Sequence, residues 1–307
     1  MKNITVLGSS NIDYISEVKK FPKPGETILS TTYRTENGGK GANQAIACSR
    51  LGGKTTFISC VGDDKVGSGM LEDWKKDNLS VSSVEIIEDS VTGAAQITID
   101  QKGENNIIIS AGANQFLTSD VVEKHQKDIE SSDFLLLQLE TPTSSNVLAA
   151  KVAKQSNSTI ILNPAPAKKV PQELLELVQI ITPNESEASA LTGIKVVDQK
   201  SAAQAAEKLH QSGVETVIIT LGSQGVLVSN GKEQPKLIPA YTVTPVDTVA
   251  AGDTFNGALL IGLSEGKDIY QASDFANVAA ALAVSQKGAQ RSVPYRNQVE
   301  DFLKNNV

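Results

Sequence analysis

Two cysteines and two histidines are all that 307 residues offer to thiol or imidazole chemistry. Cys48 falls in a helical pattern and Cys60 in a strand pattern, so they read as reduced core thiols of a cytoplasmic protein and not as a disulfide framework. His125 and His210 lie in polar, helix-like stretches with no second histidine, cysteine or paired carboxylate at ligand spacing. They read as surface residues, and a metal ion would have to be held by oxygen atoms and phosphates. Long apolar runs are missing too: none reaches the roughly 18 residues that span a bilayer. The start MKNITVLG has a strand pattern, not the basic and then apolar pattern of a signal peptide. Aromatic residues make up only 4% of the chain and the formal charge is −7. The lack of any cluster of Lys and Arg interleaved with aromatics argues against a nucleic-acid face, because such faces work by neutralising phosphates. Neither G-x-x-x-x-G-K-[ST] nor G-x-G-x-x-G occurs, so any phosphate site must be built another way.

What is present is an alternation of short β-branched runs with helical patterns. ITVLG (4–8), TTFISCVG (55–62), FLLLQLE (134–140), TIILN (159–163), IIT (180–182) and TVIITLG (216–222) are near-continuous apolar runs, as in parallel strands covered on both faces. Between them, 42–51, 67–78, 144–155 and 201–212 have helical spacing and the length of crossovers. The expected fold is α/β: a doubly wound, mostly parallel sheet with helices on both faces, in one domain over 1–307. Ligands of such sheets bind beyond the carboxyl ends of the strands. Two segments break the rhythm, roughly 13–36 with FPKPGET and roughly 92–110, where AAQITID and NIIIS flank the turn QKGENN. Both read as β insertions outside the main sheet. A small sheet made from them would have one poorly covered apolar face. It would close over the site as a lid, pair with the same sheet of another subunit, or do both.

Two segments carry chemistry. In DTVAAGDTFNGALL (247–260) a turn of small residues opens an apolar helix. Ala250, Ala251 and Gly252 have almost no side chain, so an anion can reach the amides at the positive end of the helix. Asp253 on that turn can take the proton of an attacking hydroxyl, or it simply caps the helix. In ENGGKGANQAIACSRLGG (36–53), Gly38, Gly39 and Gly41 permit close backbone approach, and Lys40 and Asn43 offer donors to a polyhydroxylated ligand. The same glycines would also suit a hinge at the foot of the lid.

GGKGAN near the start and DTVAAGDTFNGAL near the end, in that order and at that separation, resemble the paired signatures of the ribokinase or PfkB-type carbohydrate kinase family. GSSNID (8–13), LLQLET (136–141), NPAP (163–166), NESE (184–187), TLGSQGV (220–226) and KGAQRSVP (287–294) extend the resemblance over nearly the whole chain. The resemblance implies a ribokinase-like fold and an ATP-dependent kinase acting on the primary (5-) hydroxyl of ribose. A kinase of fructose, deoxyribose or a nucleoside, or a non-catalytic sensor, are the alternatives; the low aromatic content weakens the nucleoside reading. By the same resemblance Asp253 is the base, beside an anion hole from Ala250, Ala251 and Gly252. Asn11, Asp13, Gly39, Lys40, Gly41, Asn43 and Glu140 hold the sugar. Asn184, Thr220, Gly222, Ser223, Gly225, Gly252 and Asn277 meet ATP, and Glu187 organises Mg²⁺ through water. Asp247 and Ser292, with the carbonyls of Val249, Ala283, Gln286 and Gly288, match a loop for K⁺. A homodimer through the β lid, with no membrane or nucleic-acid partner, completes the expectation.

Overall fold

The computed structural model describes residues 2–306. Among the described residues, thirteen strands fall into two sheets. In chain order they are β1 (Asn3–Leu7), β2 (Asn11–Glu17), β3 (Thr32–Gly38), β4 (Lys54–Gly62), β5 (Val84–Ile87), β6 (Gly93–Ile99) and β7 (Asn105–Ser110). They continue as β8 (Phe134–Leu137), β9 (Thr159–Leu162), β10 (Ile180–Ile181), β11 (Thr216–Thr220), β12 (Val226–Ser229) and β13 (Lys236–Ile238). The larger sheet has the order β13-β12-β11-β10-β9-β8-β1-β4-β5. Pairing is parallel from β5 to β11, and β12 and β13 add antiparallel edges.

The apolar runs become central strands because both of their faces are covered. Along β8, Phe134 and Leu136 pack with the layer formed by helices Lys40–Arg50, Ala251–Ser264 and Ile269–Val284, while Leu135 and Leu137 enter the opposite layer with Thr143–Gln155 and Gln199–Gln211. That is the period-two alternation of a strand. Cys48 and Cys60 lie one in each layer, free and buried, and burial pushes both thiols up to about 12, which leaves them unreactive. The expected run 134–140 stops as a strand at Leu137. Beyond it Leu139 donates its amide to Ala165 and the chain turns out of the sheet, so Gln138 and Glu140 stand beyond the strand's carboxyl end.

The second sheet has the order β3-β2-β6-β7 and comes from the two segments that broke the rhythm. Its β2 pairs antiparallel with β3 and parallel with β6. It leaves the main sheet directly from the end of β1, so Asn11 and Asp13, expected to hold the sugar, sit at the joint of the two sheets.

The histidines differ from expectation. Both are half-buried structural pins: His125 Nε2 lies 2.6 Å from Glu85 and its Nδ1 3.4 Å from Asp128, and His210 is bonded to the Val214 carbonyl and Ser229 Oγ. Glu85 and Ser229, the partners that local spacing could not show, come from 40 and 19 residues away along the chain.

Candidate active site

The site begins with a close helix crossing. Gly257 in helix Ala251–Ser264 lies against Lys40–Arg50, where an added Cβ would meet Cys48 N and Gln44 O at 3.0 Å. One turn earlier on each helix stand Asp253 and the pair Asn43 and Gln44, which the crossing brings into contact. Asp253, buried, accepts from Asn43 Nδ2 and Gln44 Nε2 at 2.9 Å each. Gln44 in turn accepts from Gln138 Nε2 at 2.6 Å and donates to Asn163 Oδ1 at 3.0 Å. Asn163 donates to the Thr182 carbonyl, Thr182 Oγ1 to Asn256, and Asn256 to the Gly252 carbonyl. The chain of bonds thus returns to the turn that carries Asp253 and fixes its carboxylate from both sides.

Burial raises the Asp253 pKa, against the lowering effects of Lys40, Asn43 and Gln44. A carboxylate so raised is better matched to accept a proton near neutral pH. Asn43 turns its amide nitrogen to Asp253, and its Oδ1 is buried with no partner, an acceptor suited to a ligand hydroxyl. Asp13 is pushed up to about 7, first by burial and then by the fields of Glu140, Glu36 and Asp253. Glu140 accepts from Ser9 Oγ at 2.6 Å and from the Lys40 amide at 3.0 Å. Burial opposes the charge on Lys40, yet the fields of Asp253, Glu140, Glu187 and Asp13 raise its pKa above the ordinary lysine value. One buried ammonium therefore lies within the fields of four carboxylates. Asn11 Oδ1 is bonded to Asn114 Nδ2 at 2.8 Å.

Gly39 and Gly41 approach protein backbone and not open space. A Cβ on Gly39, whose φ is +87°, would lie 2.7 Å from Asn11 N, and one on Gly41 would lie 2.5 Å from Gly8 C and Ser9 N. The two expected sugar motifs are interlocked through these glycines. Gly252 differs, with nothing within 4 Å of its missing Cβ. Ala250 caps this helix in the left-handed region, φ 59° and ψ 8°, a conformation that costs a non-glycine residue roughly 1–2 kcal/mol. Ala251 N closes a turn on Thr248 O at 3.3 Å and Thr254 N bonds Ala250 O, which leaves the Gly252 and Asp253 amides as free donors beside the open space.

Asn184 and Glu187 form a complete capping box: Asn184 Oδ1 accepts from Glu187 N at 2.8 Å, and Glu187 Oε2 from Asn184 N at 2.9 Å. The cap does not compete with a role at the site, for the Asn184 Nδ2 is not used in it, and Glu187 lies within the field of Lys40 and Asp253, its own pKa raised mainly by burial. A buried carboxylate within the field of Lys40 suits magnesium held largely by phosphates and water. Thr220 bridges to Asn184 and leads into the turn Gly222–Gln224, with Ser223 at its centre. A Cβ on Gly225 would meet Ala240 N at 2.6 Å, and Asn277 Nδ2 donates to Ile238 O and Pro239 O at 3.3 Å. The expected nucleotide residues are therefore joined around the β12–β13 edge, with Asn277 acting on that loop.

Asp247 spans two loops. Its Oδ1 accepts from Val249 N and its Oδ2 from Gly288 N, each at 3.1 Å. Val246 and Asp247 donate to Val284 O, Gln286 to Ala283 O, and Ser292 Oγ to Ala289 O, so every expected member of the cation loop falls in these two segments. No ion pair forms at Asp247 among the described residues. A carboxylate without an ion pair, tied to both carbonyl-bearing segments, offers the oxygen ligands that suit a weakly hydrated monovalent cation.

Residues 1–296 match the pfkB family of carbohydrate kinases. The chain belongs to that family. It is 45% identical over 303 residues to the ribokinase of Haemophilus influenzae, covering 99% of both chains. Its fold is similar to that of Arabidopsis thaliana ribokinase, solved with ribose and ATP: TM-score 0.93, 34% identity, 99% of each chain. The Thermotoga maritima ribokinase superposes with a TM-score of 0.91 at 39% identity, over 99% of this chain and 100% of the other. Within the family frame, Gln44, Gln138, Asn163, Thr182 and Asn256 are what residue-by-residue reading missed. The available signal was amide residues inside otherwise apolar stretches, such as Gln138 in FLLLQLE, because buried amides must find partners.

Proposed function

We propose that this protein is an ATP-dependent ribose kinase that transfers the γ-phosphoryl group to the 5-hydroxyl, giving ribose 5-phosphate and ADP. The observation that carries the reading is the buried Asp253 carboxylate, clamped by Asn43 and Gln44 beside two free amides at a helix start. Asp13, Glu140, Asn11, Asn43 and the Gly39–Gly41 segment supply acceptors and donors for adjacent sugar hydroxyls. Asp253 takes the proton of the 5-hydroxyl as its oxygen bonds to the γ-phosphorus, and the bond to the ADP oxygen breaks in line. The charge spread over the phosphoryl oxygens meets the Gly252 and Asp253 amides and Lys40, so positioning and electrostatics do most of the work.

Asn184 and the turn Thr220–Gly225 hold the nucleotide, with Asn277 fixing the loop beside them. Glu187 would hold water of a magnesium ion, which supplies neutralisation of phosphate charge when it is bound. Asp247, Ser292 and the carbonyls of Val249, Ala283, Gln286 and Gly288 would hold K⁺, and their segments buttress the turn from Ala250 to Asp253. We further propose that residues 1–307 act as one unit, since Asp13 of the lid and Asp253 share a site, and that two copies pair through the lid. The buried, unreactive thiols accord with a cytoplasmic setting, and no described helix is long and apolar enough to cross a membrane. The test is ADP release with ATP and Mg²⁺ across ribose, 2-deoxyribose, fructose, adenosine and no sugar. Ribose should give the highest kcat/KM; preference for another sugar, or no sugar-dependent release, would refute the assignment.

A further inference from the structure

Glu36 is a buried carboxylate on the lid strand β3 that no part of the phosphoryl-transfer scheme uses. It faces Asp13 directly across the β2–β3 pair, yet its bonds run away from the sugar. Its Oε1 accepts from Arg34 Nε at 2.8 Å, and its Oε2 accepts from the amide of Ala289 at 2.9 Å. Gly288, at φ +105°, is the residue that permits this approach, because a Cβ there would fall 2.5 Å from Glu36 Oε2. A second tie runs parallel: Lys287 Nζ reaches Glu17 Oε1 at 2.9 Å, and Arg34 bridges Glu17 to Glu36. Two lid strands are thus fastened to the segment that, in the reading above, supplies carbonyls and Ser292 to a monovalent cation.

The geometry at residues 288 and 289 gives the fastening a consequence. The Gly288 carbonyl and the Ala289 N–H belong to one trans peptide plane and point in opposite directions across it. A carboxylate that holds the N–H therefore also aims the carbonyl. On the other side of the same residue, Gly288 N is held by Asp247 Oδ2 at 3.1 Å. We propose that Glu36 is a positioning residue that couples the cation loop to the lid: it sets the Gly288 carbonyl for the cation, and a bound cation in turn steadies β3 and β2, which carry Asp13. The coupling is reciprocal by linkage, so K⁺ raises affinity for ribose and ribose raises affinity for K⁺ by the same factor. The inference rests on the ribose and K⁺ assignments above.

Ribose binding is to be measured by calorimetry on the unmodified protein without nucleotide, in potassium chloride and in tetramethylammonium chloride at equal ionic strength. The dissociation constant should be lower in potassium, by on the order of fivefold or more. Glu36→Ala should bring that ratio close to one. If this variant does not fold, Arg34→Met, which removes the guanidinium that orients the Glu36 carboxylate, should lower the ratio in its place. Turnover that is equal in the two salts would refute the cation assignment beneath the proposal. Turnover that needs potassium, together with a ribose affinity indifferent to the salt or a ratio unchanged in the variants, would overturn the coupling alone.

Discussion

Asp13 lies buried at the joint between lid and main sheet, with Glu140, Glu36 and Asp253 all within the reach of its field. Burial is the larger cause of its pKa of about 7, and Lys40 offsets only part of it. The sign follows from what a sugar brings. Hydroxyl donors stabilise the ionised carboxylate, so binding lowers the raised pKa and drives a proton off. Ribose affinity should therefore rise as pH rises through about 7. Near neutral pH, calorimetry in buffers of different ionisation heat should show net release of protons as ribose binds. Uptake of protons, or affinity flat across that range, would contradict the placement of Asp13 against the sugar.

Residues of this kind were legible to different degrees. Asp253 was visible as a carboxylate on a turn of small residues, but spacing alone could not separate a base from a cap; its side chain makes no capping bond and is held instead by Asn43 and Gln44, some 210 residues earlier in the chain. Asn184 and Glu187 showed the opposite ambiguity, and the two readings proved compatible, because the capping box leaves an amide nitrogen free. Gly257 was missed although it decides where Asp253 sits: a glycine inside a helix has no local signature for the neighbour it admits.

Among the elements, β1, β4, β9 and β11 stood out because both faces of each are covered, which leaves an unbroken apolar run in the sequence. The short antiparallel strands β12 and β13, of 4 and 3 residues, gave too brief a pattern to separate from loop. The lid was legible as an interruption. Its face shared with Asp13 carries Ile15 and Ile97, and at the β7 edge Ile107 and Ile109 are 50% and 53% exposed. Exposed isoleucines on an unpaired edge strand are what pairing with a second copy would bury. Sedimentation equilibrium should give twice the monomer mass, and Ile107→Lys with Ile109→Lys should shift it to the monomer. A monomer without the substitutions would refute the lid-mediated pair.

At the scale of the molecule, the parallel sheet gathers Glu140, Asn163, Asn184 and Thr220 at the carboxyl ends of its strands, where such sheets bind ligands. The close crossing of helices Lys40–Arg50 and Ala251–Ser264 adds Asn43 and Asp253, and the lid adds Asn11 and Asp13. What the sequence could not reveal was the wiring between these pieces, since the amide chain from Gln44 to Asn256 and the Glu36 tie join residues far apart along the chain. At the centre of this arrangement, Asp253 is proposed to take the proton from the sugar. Steady-state turnover of Asp253→Asn with saturating ribose and ATP tests it most directly, alongside calorimetric binding of both ligands. The substitution should cut kcat by about 10²-fold or more while both ligands still bind with near-parental affinity. Near-normal turnover in this variant would contradict the account.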